Sequence, residues 1–202
     1  MQRKISKQEK RQMVILMICL FFLFSVTAGA ILANGVSIEE VHTIQSDIEN
    51  LFQNQQQTEK NFLSVFLKYL KYDVLIWVGG CFCYGAALSA ATLAFRGVSL
   101  GYTAAVVFRA YGTKGIFVVI CSMLPQNLIL VPVYFLMTWF AYCFLMEQKR
   151  GQIGKGALKR EQTRIWTEYA ILLCSSVVII AIASFIELHL SQALLRIIGA
   201  LL

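Results

Sequence analysis

Charged residues are scarce in this chain. Asp, Glu, Lys and Arg make up 14% of the 202 residues and hydrophobic residues 58%, whereas soluble domains carry about 25% charged residues. Uncharged apolar windows cover 13–33, 74–95, 115–146 and 169–186, with a shorter one at 97–108. Because about 20 apolar residues cross a bilayer, the pattern predicts an all-α, polytopic integral membrane helical bundle. It also excludes a separate soluble domain, so residues 1–202 are one membrane domain.

Catalytic and metal-binding motifs are also missing. The sequence has no HExxH, P-loop or CxxC motif. Its six cysteines all lie inside apolar windows, where Cys behaves as a small hydrophobe. Five ionisable residues lie near window ends, where snorkelling explains them: Asp73, Arg109, Lys114, Glu168 and Glu187. We therefore predict no catalytic residue, metal site or cofactor, and the absence of a mid-membrane acid argues against proton-coupled transport.

The basic residues that are present indicate an orientation. Residues 1–12 contain five Lys or Arg and residues 147–167 contain six, whereas 34–73 contains three Lys and six acids. Cytoplasmic segments of membrane proteins are enriched in Lys and Arg. This favours a cytoplasmic N-terminus and 147–167 loop, with 34–73 outside. The net charge of +7 is thereby explained without nucleic-acid binding.

The number of crossings follows from this orientation. The chain is cytoplasmic near Arg96 and again at Glu147, so 97–146 crosses an even number of times. Two crossings there give about five in total, with the C-terminus outside. The predicted crossings are 13–33, 74–95, 97–112, the later part of 115–146, and 168–188, followed by the outside tail 189–202.

The segment 115–146 is longer than one crossing needs and contains Leu124-Pro125-Gln126-Asn127 near its middle. Pro125 lacks a backbone donor, and the two amides are poorly solvated by hydrocarbon. We expect a half-helix, a break or re-entrant segment at 125–127, and then the fourth crossing. An alternative single helix over 97–124 would bury Arg109 and Lys114 at a cost of several kcal/mol.

The first window has two interpretations. It follows a basic segment and ends near small residues, as a signal peptide does. Its 21 residues exceed the usual apolar length of roughly 7–15. This length favours a retained transmembrane helix.

The outside segment 34–73 contains an apolar stripe at helical spacing: Val41, Ile44, Ile48 and Leu51. The stripe predicts an amphipathic helix, since no Pro or Gly interrupts 36–72. Its apolar face could rest on the outer leaflet or the bundle. Alternatively, it is a docking surface for another protein.

Several motifs together resemble the stage II sporulation protein M family. They are Lys71, Trp77, Gly79, the run from Arg96 to Tyr102, the run from Tyr111 to Gly115, and LPQN. The family pattern commonly has Lys at the position of Arg96, which keeps the charge. The resemblance identifies ten motif residues, which are Arg96, Gly97, Gly101, Gly112, Lys114, Gly115, Leu124, Pro125, Gln126 and Asn127.

The resemblance implies a non-enzymatic membrane scaffold for engulfment during endospore formation. Its expected partners are the lipid bilayer, an amidase/endopeptidase similar to stage II sporulation protein P, and a lytic transglycosylase similar to stage II sporulation protein D. Its expected location is the bacterial cell membrane, at the sporulation septum and the engulfing membrane. The alternative is a permease-type subunit of an export system resembling ABC transporters, whose 147–167 loop would bind an ATPase.

Overall fold

The computed structural model describes residues 7–37, 39–43, 46, 61–82, 85–151 and 158–191. Within these ranges the chain is helical, without strands, as predicted. The helices are α1 (Lys7–Ala33), α2 (Phe62–Cys81), α3 (Gly85–Tyr111), α4 (Thr113–Gly151), α5 (Leu158–Ile186) and a π-helical turn at Glu187–Ser191.

Four helical segments of the described chain are long and apolar enough to cross a membrane: Arg11–Ala33, Gly85–Tyr111, Met123–Glu147 and Thr163–His189. The prediction of a polytopic helical bundle is therefore confirmed. Helix α2 differs because Lys68, Lys71 and Asp73 lie within its 20 residues. It is nevertheless part of the core, because Tyr69 and Ile76 are buried.

Helix directions follow from the residues in contact. Helix α1 lies parallel to α3, since Ser25 approaches Gly97 and the Arg109 side chain reaches the end of α1. Helices α2 and α4 run parallel to each other and antiparallel to α3 and α5. The main core lies among α2–α5, and its largest fully buried aliphatic side chains are those of Ile76, Leu93, Leu130 and Ile180.

The turn between α2 and α3 lies inside the predicted crossing 74–95, so that boundary was wrong. Helix α2 ends at Cys81, Phe82 is extended, and α3 begins at Gly85. A side chain at Gly85 would overlap the Gly79 backbone, so two glycines let the hairpin close tightly. The hydrophobic run continues through this turn, which is why apolar length could not locate it.

The predicted start of a crossing at 97 was also wrong, because α3 runs unbroken from 85 to 111. At its end, Gly112 has φ +58°, a left-handed conformation that Gly adopts at little cost. The Gly112 amide donates to Phe108 O at 2.8 Å. Gly112 thus forms the turn into α4.

Helix α4 is continuous from Thr113 to Gly151 and contains both Pro125 and Pro132. The predicted break at 125–127 was therefore wrong, as was the separate half-helix before it. Neighbouring helices and side chains can accommodate the lost backbone bond. At 39 residues and about 1.5 Å per residue, α4 is longer than a bilayer core is thick.

Candidate functional site

Arg96 lies near the middle of α3 and is only 8% exposed. The sequence had placed it at the end of an apolar window, where its head could reach water. An arginine at this depth is costly unless its charge and donors are satisfied. Its surroundings therefore form the candidate site.

Three tyrosine rings surround the Arg96 guanidinium. Its central carbon lies 5.4 Å from the ring centre of Tyr69, 5.2 Å from Tyr72 and 5.5 Å from Tyr134. Aromatic faces attract cations within about 6 Å, most strongly where water is excluded. The rings come from α2 and α4, so this "tyrosine cage" joins three helices through one charge.

Asn127 completes the contacts of Arg96. The Arg96 Nη2 donates to Asn127 Oδ1 at 3.2 Å, and Asn127 Nδ2 donates to Met123 O at 2.7 Å. The second bond fixes the amide with its oxygen toward the arginine. Arg96 Nε is buried without a hydrogen-bond partner.

The LPQN motif thus supplies a side-chain contact rather than a break in the helix. Asn127 meets Arg96, and Gln126 is 9% exposed. Leu124 is 48% exposed, and Pro125 is half-buried. The structure therefore brings two of the ten motif residues, Arg96 and Asn127, into direct contact.

Hydrogen bonds extend the tyrosine cage to the end of α5. The Tyr69 hydroxyl donates to the Glu187 carboxylate, at the start of the π-helical turn. The Tyr134 hydroxyl donates to Tyr69 O at 3.1 Å. These bonds connect α2 with α4 and with the chain that follows α5.

Asp73 is fully buried one turn after Tyr69. The Ser176 hydroxyl of α5 donates to Asp73 Oδ2 at 2.5 Å, while Oδ1 has no hydrogen-bond partner. The expectation that Asp73 anchors a membrane edge was therefore wrong. Spacing could have revealed it, because Tyr69, Asp73, Ile76 and Gly80 fall on one helical face.

An aromatic stack joins α2 and α5 one turn beyond Asp73. Trp77 Nε1 donates to Tyr169 O at 3.1 Å, and the Tyr169 hydroxyl donates to Trp77 O at 2.8 Å. The two rings stack at 5.3 Å between centres. A side chain at Gly80 would overlap the Tyr169 hydroxyl, so this glycine provides the space that the stack requires.

The glycines of the motif run lie between α1 and α3. A side chain at Gly101 would overlap the Val26 carbonyl, and one at Gly29 would overlap the Val98 carbonyl. Gly97 meets Ser25 and Phe22. Small residues permit this close backbone approach in membranes. We call this contact the "glycine seam".

Arg109 lies at the end of the glycine seam and caps α1. Its Nη1 donates to Ala33 O and, at 3.1 Å, to Val36 O. These carbonyls lie at and just beyond the carboxyl end of α1, where a cation is favourable. Sequence reasoning gave Arg109 only a surface role. At the start of α4, Gly115 is buried against Val107 of α3, whereas Lys114 is exposed.

The predicted docking stripe is only partly described. Ser37 N donates to Glu40 Oε2 at 3.0 Å and Glu40 N donates to Ser37 Oγ at 3.2 Å, which is a capping box that begins a helix. Val41 follows and is 8% exposed. Ile44, Ile48 and Leu51 lie outside the described residues.

Metal ligands do not cluster in the part of the chain that the structure describes. No group of three or more His, Cys, Asp or Glu side chains lies close enough together there to hold an ion. The polar groups of the bundle instead contact one another: Arg96 with Asn127, Asp73 with Ser176, and Tyr69 with Glu187.

The fold and this polar interior define a polytopic helical membrane protein whose buried charges join its helices. The family model of stage II sporulation protein M matches residues 18–192. The chain therefore belongs to the stage II sporulation protein M family and is a sporulation-related membrane protein. Neither the curated proteins nor the solved structures gave a match.

Proposed function

We propose that this chain is a non-enzymatic scaffold of the engulfment machinery, which recruits peptidoglycan hydrolases to the septal membrane. Family membership supports the sporulation role. The observation that carries the proposal is the use of the buried polar groups. The buried Arg96 and Asp73, and the half-buried Glu187, are each engaged with a side chain of another helical element, so they stabilise the bundle rather than line an open reaction site.

The proposal places the N-terminus and the 147–167 loop in the cytoplasm and the C-terminus outside. The predicted outside segment 34–73 is shortened to 34–61, because α2 begins at Phe62. Helix α1 is parallel to α3, and α2 is parallel to α4. This is the arrangement expected when successive helices cross the membrane in alternating directions, so it supports five crossings. A reporter cysteine at Gln56 in a Cys-free variant tests this. We expect an impermeant thiol reagent to label it in intact cells, and labelling only after permeabilisation would contradict the topology.

The proposed docking surface is the part of the outside stripe that follows Val41, namely Ile44, Ile48 and Leu51, because Val41 is itself buried in the chain. Helix-in-groove contacts depend on apolar residues at this spacing. The expected partners are the amidase/endopeptidase and, through it, the lytic transglycosylase. The capping box at Ser37–Glu40 supports the proposal, since it starts a helix immediately before the stripe.

Affinity purification of the tagged full chain from sporulating cells tests recruitment. The wild type should co-purify the amidase/endopeptidase. Changing Ile44, Ile48 and Leu51 to Ser should abolish co-purification, because each lost apolar contact costs about 1–3 kcal/mol and a micromolar contact totals about 8 kcal/mol.

The matched control changes Asp47, Glu49 and Asn50 to Ser. These residues fall on other faces of the predicted helix, and they avoid Glu40, which belongs to the capping box. The control should retain the hydrolase. Wild-type yield from the Ile44, Ile48 and Leu51 variant would contradict the docking surface, and absence of any hydrolase from the wild type would contradict recruitment.

A permease-type subunit is a second candidate, favoured by Asp73. A carboxylate buried among membrane helices often marks an ion or proton pathway, and one oxygen of Asp73 has no hydrogen-bond partner. The same purification separates the two candidates. Recovery of an ATPase without hydrolases would support the permease, whereas hydrolases without an ATPase support the scaffold.

A further inference from the structure

A groove of about 350 Å³ lies where α1 crosses α3 and α4. Its walls include Val14, Met17 and Phe21 of α1, Ala90 and Leu93 of α3, and Thr138 of α4. The groove follows α1 for two turns, within a segment long and apolar enough to cross the membrane. Its volume lies near the lower end of the range of ligand sites, about 300–1,000 Å³.

The walls of the groove are suited to an apolar occupant. Thr138 is the polar residue among the described lining residues, and its hydroxyl donates within α4 to Tyr134 O at 2.8 Å. It therefore offers little to a polar ligand. Met17 is 63% exposed, so the groove is open toward lipid.

The shape of the groove suits a lipid chain. It extends along two turns of α1, about 11 Å, and it opens on the face of α1 where Met17 and Phe21 are exposed. A lipid acyl chain is thin and apolar, and the bilayer supplies it on that face.

A basic residue, Arg11, lies just beyond the end of the groove. Arg11 is exposed and precedes Val14 by three residues, which places it on the same face of α1. Arg11 and Glu147 both lie near Cys143 of α4, so this end of α1 lies beside α4. Residues 1–12 contain five basic residues and one acid, Glu9. A basic cluster beside a membrane helix attracts anionic lipid.

We propose that this groove binds an anionic phospholipid of the bilayer. One acyl chain lies between α1, α3 and α4, and the headgroup phosphate pairs with Arg11. The site is independent of the proposed hydrolase recruitment. It depends only on α1, α3 and α4 lying in the membrane.

Lipid retention by the purified full chain tests the proposal. The chain is reconstituted in equal amounts of phosphatidylglycerol and phosphatidylcholine, re-extracted in mild detergent, and its retained lipid is measured by native mass spectrometry. The wild type should retain phosphatidylglycerol several-fold over phosphatidylcholine. Arg11→Gln should bring that ratio close to one. Ala90→Phe fills the groove and should remove most retained lipid of both kinds.

Ala170→Phe, at an exposed position of α5, is the matched control and should behave as the wild type. If Ala90→Phe is misfolded by circular dichroism, Val14→Trp fills the groove from the partly exposed side of α1 and takes its place. Equal retention of the two lipids by the wild type would overturn the proposal. So would wild-type retention by a folded groove-filling variant.

Discussion

Helices α1 and α2 both pack on α3, but they do so through different chemistry. At the glycine seam, backbone meets backbone around Gly29, Gly97 and Gly101. On the other side of α3, Arg96 enters the tyrosine cage, and polar groups of α2, α4 and α5 bond one another. Apart from the Arg109 cap at its end, helix α1 therefore depends on close packing, whereas α2–α5 also depend on buried polar contacts.

Exposure differs between the two regions in the same way. Phe24 of α1 is 71% exposed, as suits a helix facing lipid, whereas Asp73 of α2 is fully buried. Because lipid chains are as apolar as Leu side chains, the hydrophobic effect does not drive α1 onto α3 in a membrane, and close packing must supply the attraction. We expect the glycine seam to tolerate the loss of polar groups but not larger side chains. We expect the polar core to tolerate changes in side-chain volume better than the loss of polar groups.

The largest expected effect is from Gly101→Ala in the glycine seam. The added methyl would overlap the Val26 carbonyl, so α1 and α3 must separate. Forcing extra volume into a packed site costs about 1–3 kcal/mol, and we expect about 3 kcal/mol because the obstacle is backbone. Unfolding free energy measured by steric trapping in micelles tests this.

Gly35→Ala is the matched control for the seam. A methyl there would make ordinary contact with Leu32 O at 3.4 Å, and its effect should be within about 0.5 kcal/mol. Equal effects of the two substitutions would show that the glycine seam is not tightly packed.

The next largest effect tests Asp73. Ser176→Ala removes the hydroxyl that donates to Asp73 Oδ2 at 2.5 Å. Because Oδ1 already has no hydrogen-bond partner, the carboxylate then loses the hydrogen bond that it has. Leaving a buried group unpaired costs about 1–3 kcal/mol, so we expect a loss of about 2 kcal/mol in unfolding free energy.

Ser184→Ala is the comparison for Ser176→Ala, because Ser184 is also buried in α5 and bonds only to its own helix, at Ile180 O. It should change the unfolding free energy much less. A Ser176→Ala variant as stable as Ser184→Ala would mean that Asp73 does not depend on Ser176.

A smaller effect is expected at the edge of the tyrosine cage. Tyr69→Phe removes the bond to the Glu187 carboxylate, and Tyr134→Phe removes a bond to the neutral Tyr69 carbonyl. Bonds to charged groups are worth about 1.5–3 kcal/mol and neutral ones about 0.5–1.5, with membrane values toward the lower ends. Unfolding free energies should therefore fall by about 1.5 kcal/mol for Tyr69→Phe and less for Tyr134→Phe. The opposite order would contradict the Glu187 contact.

The two regions also differ in what sequence could predict. Gly97 and Gly101 form a GxxxG pair in the sequence, and small residues at that spacing favour close helix packing in a membrane. Apolar length predicted a bundle but not the end of α2 at Cys81, since the residues on both sides of that point are apolar and no charge marks it.

Arg96 and Asp73 were misjudged for a related reason. A charge between apolar windows normally marks a helix end, and only a three-dimensional arrangement of Tyr69, Tyr72 and Tyr134 makes a central arginine tolerable. Likewise, Pro125 predicted a break because the sequence shows that a backbone donor is missing there. The sequence does not show the packing that keeps α4 continuous.

The most direct test of the polar core is a double-mutant cycle between Arg96 and Asn127. Arg96→Met, Asn127→Leu and the double variant are compared with the wild type by steric trapping. Contacting residues couple by about 0.5–3 kcal/mol, and membrane hydrogen bonds average about 0.6. The 3.2 Å bond predicts a favourable coupling of about 1 kcal/mol between the two side chains. Strictly additive losses would contradict the claim that Arg96 and Asn127 hold α3 and α4 together.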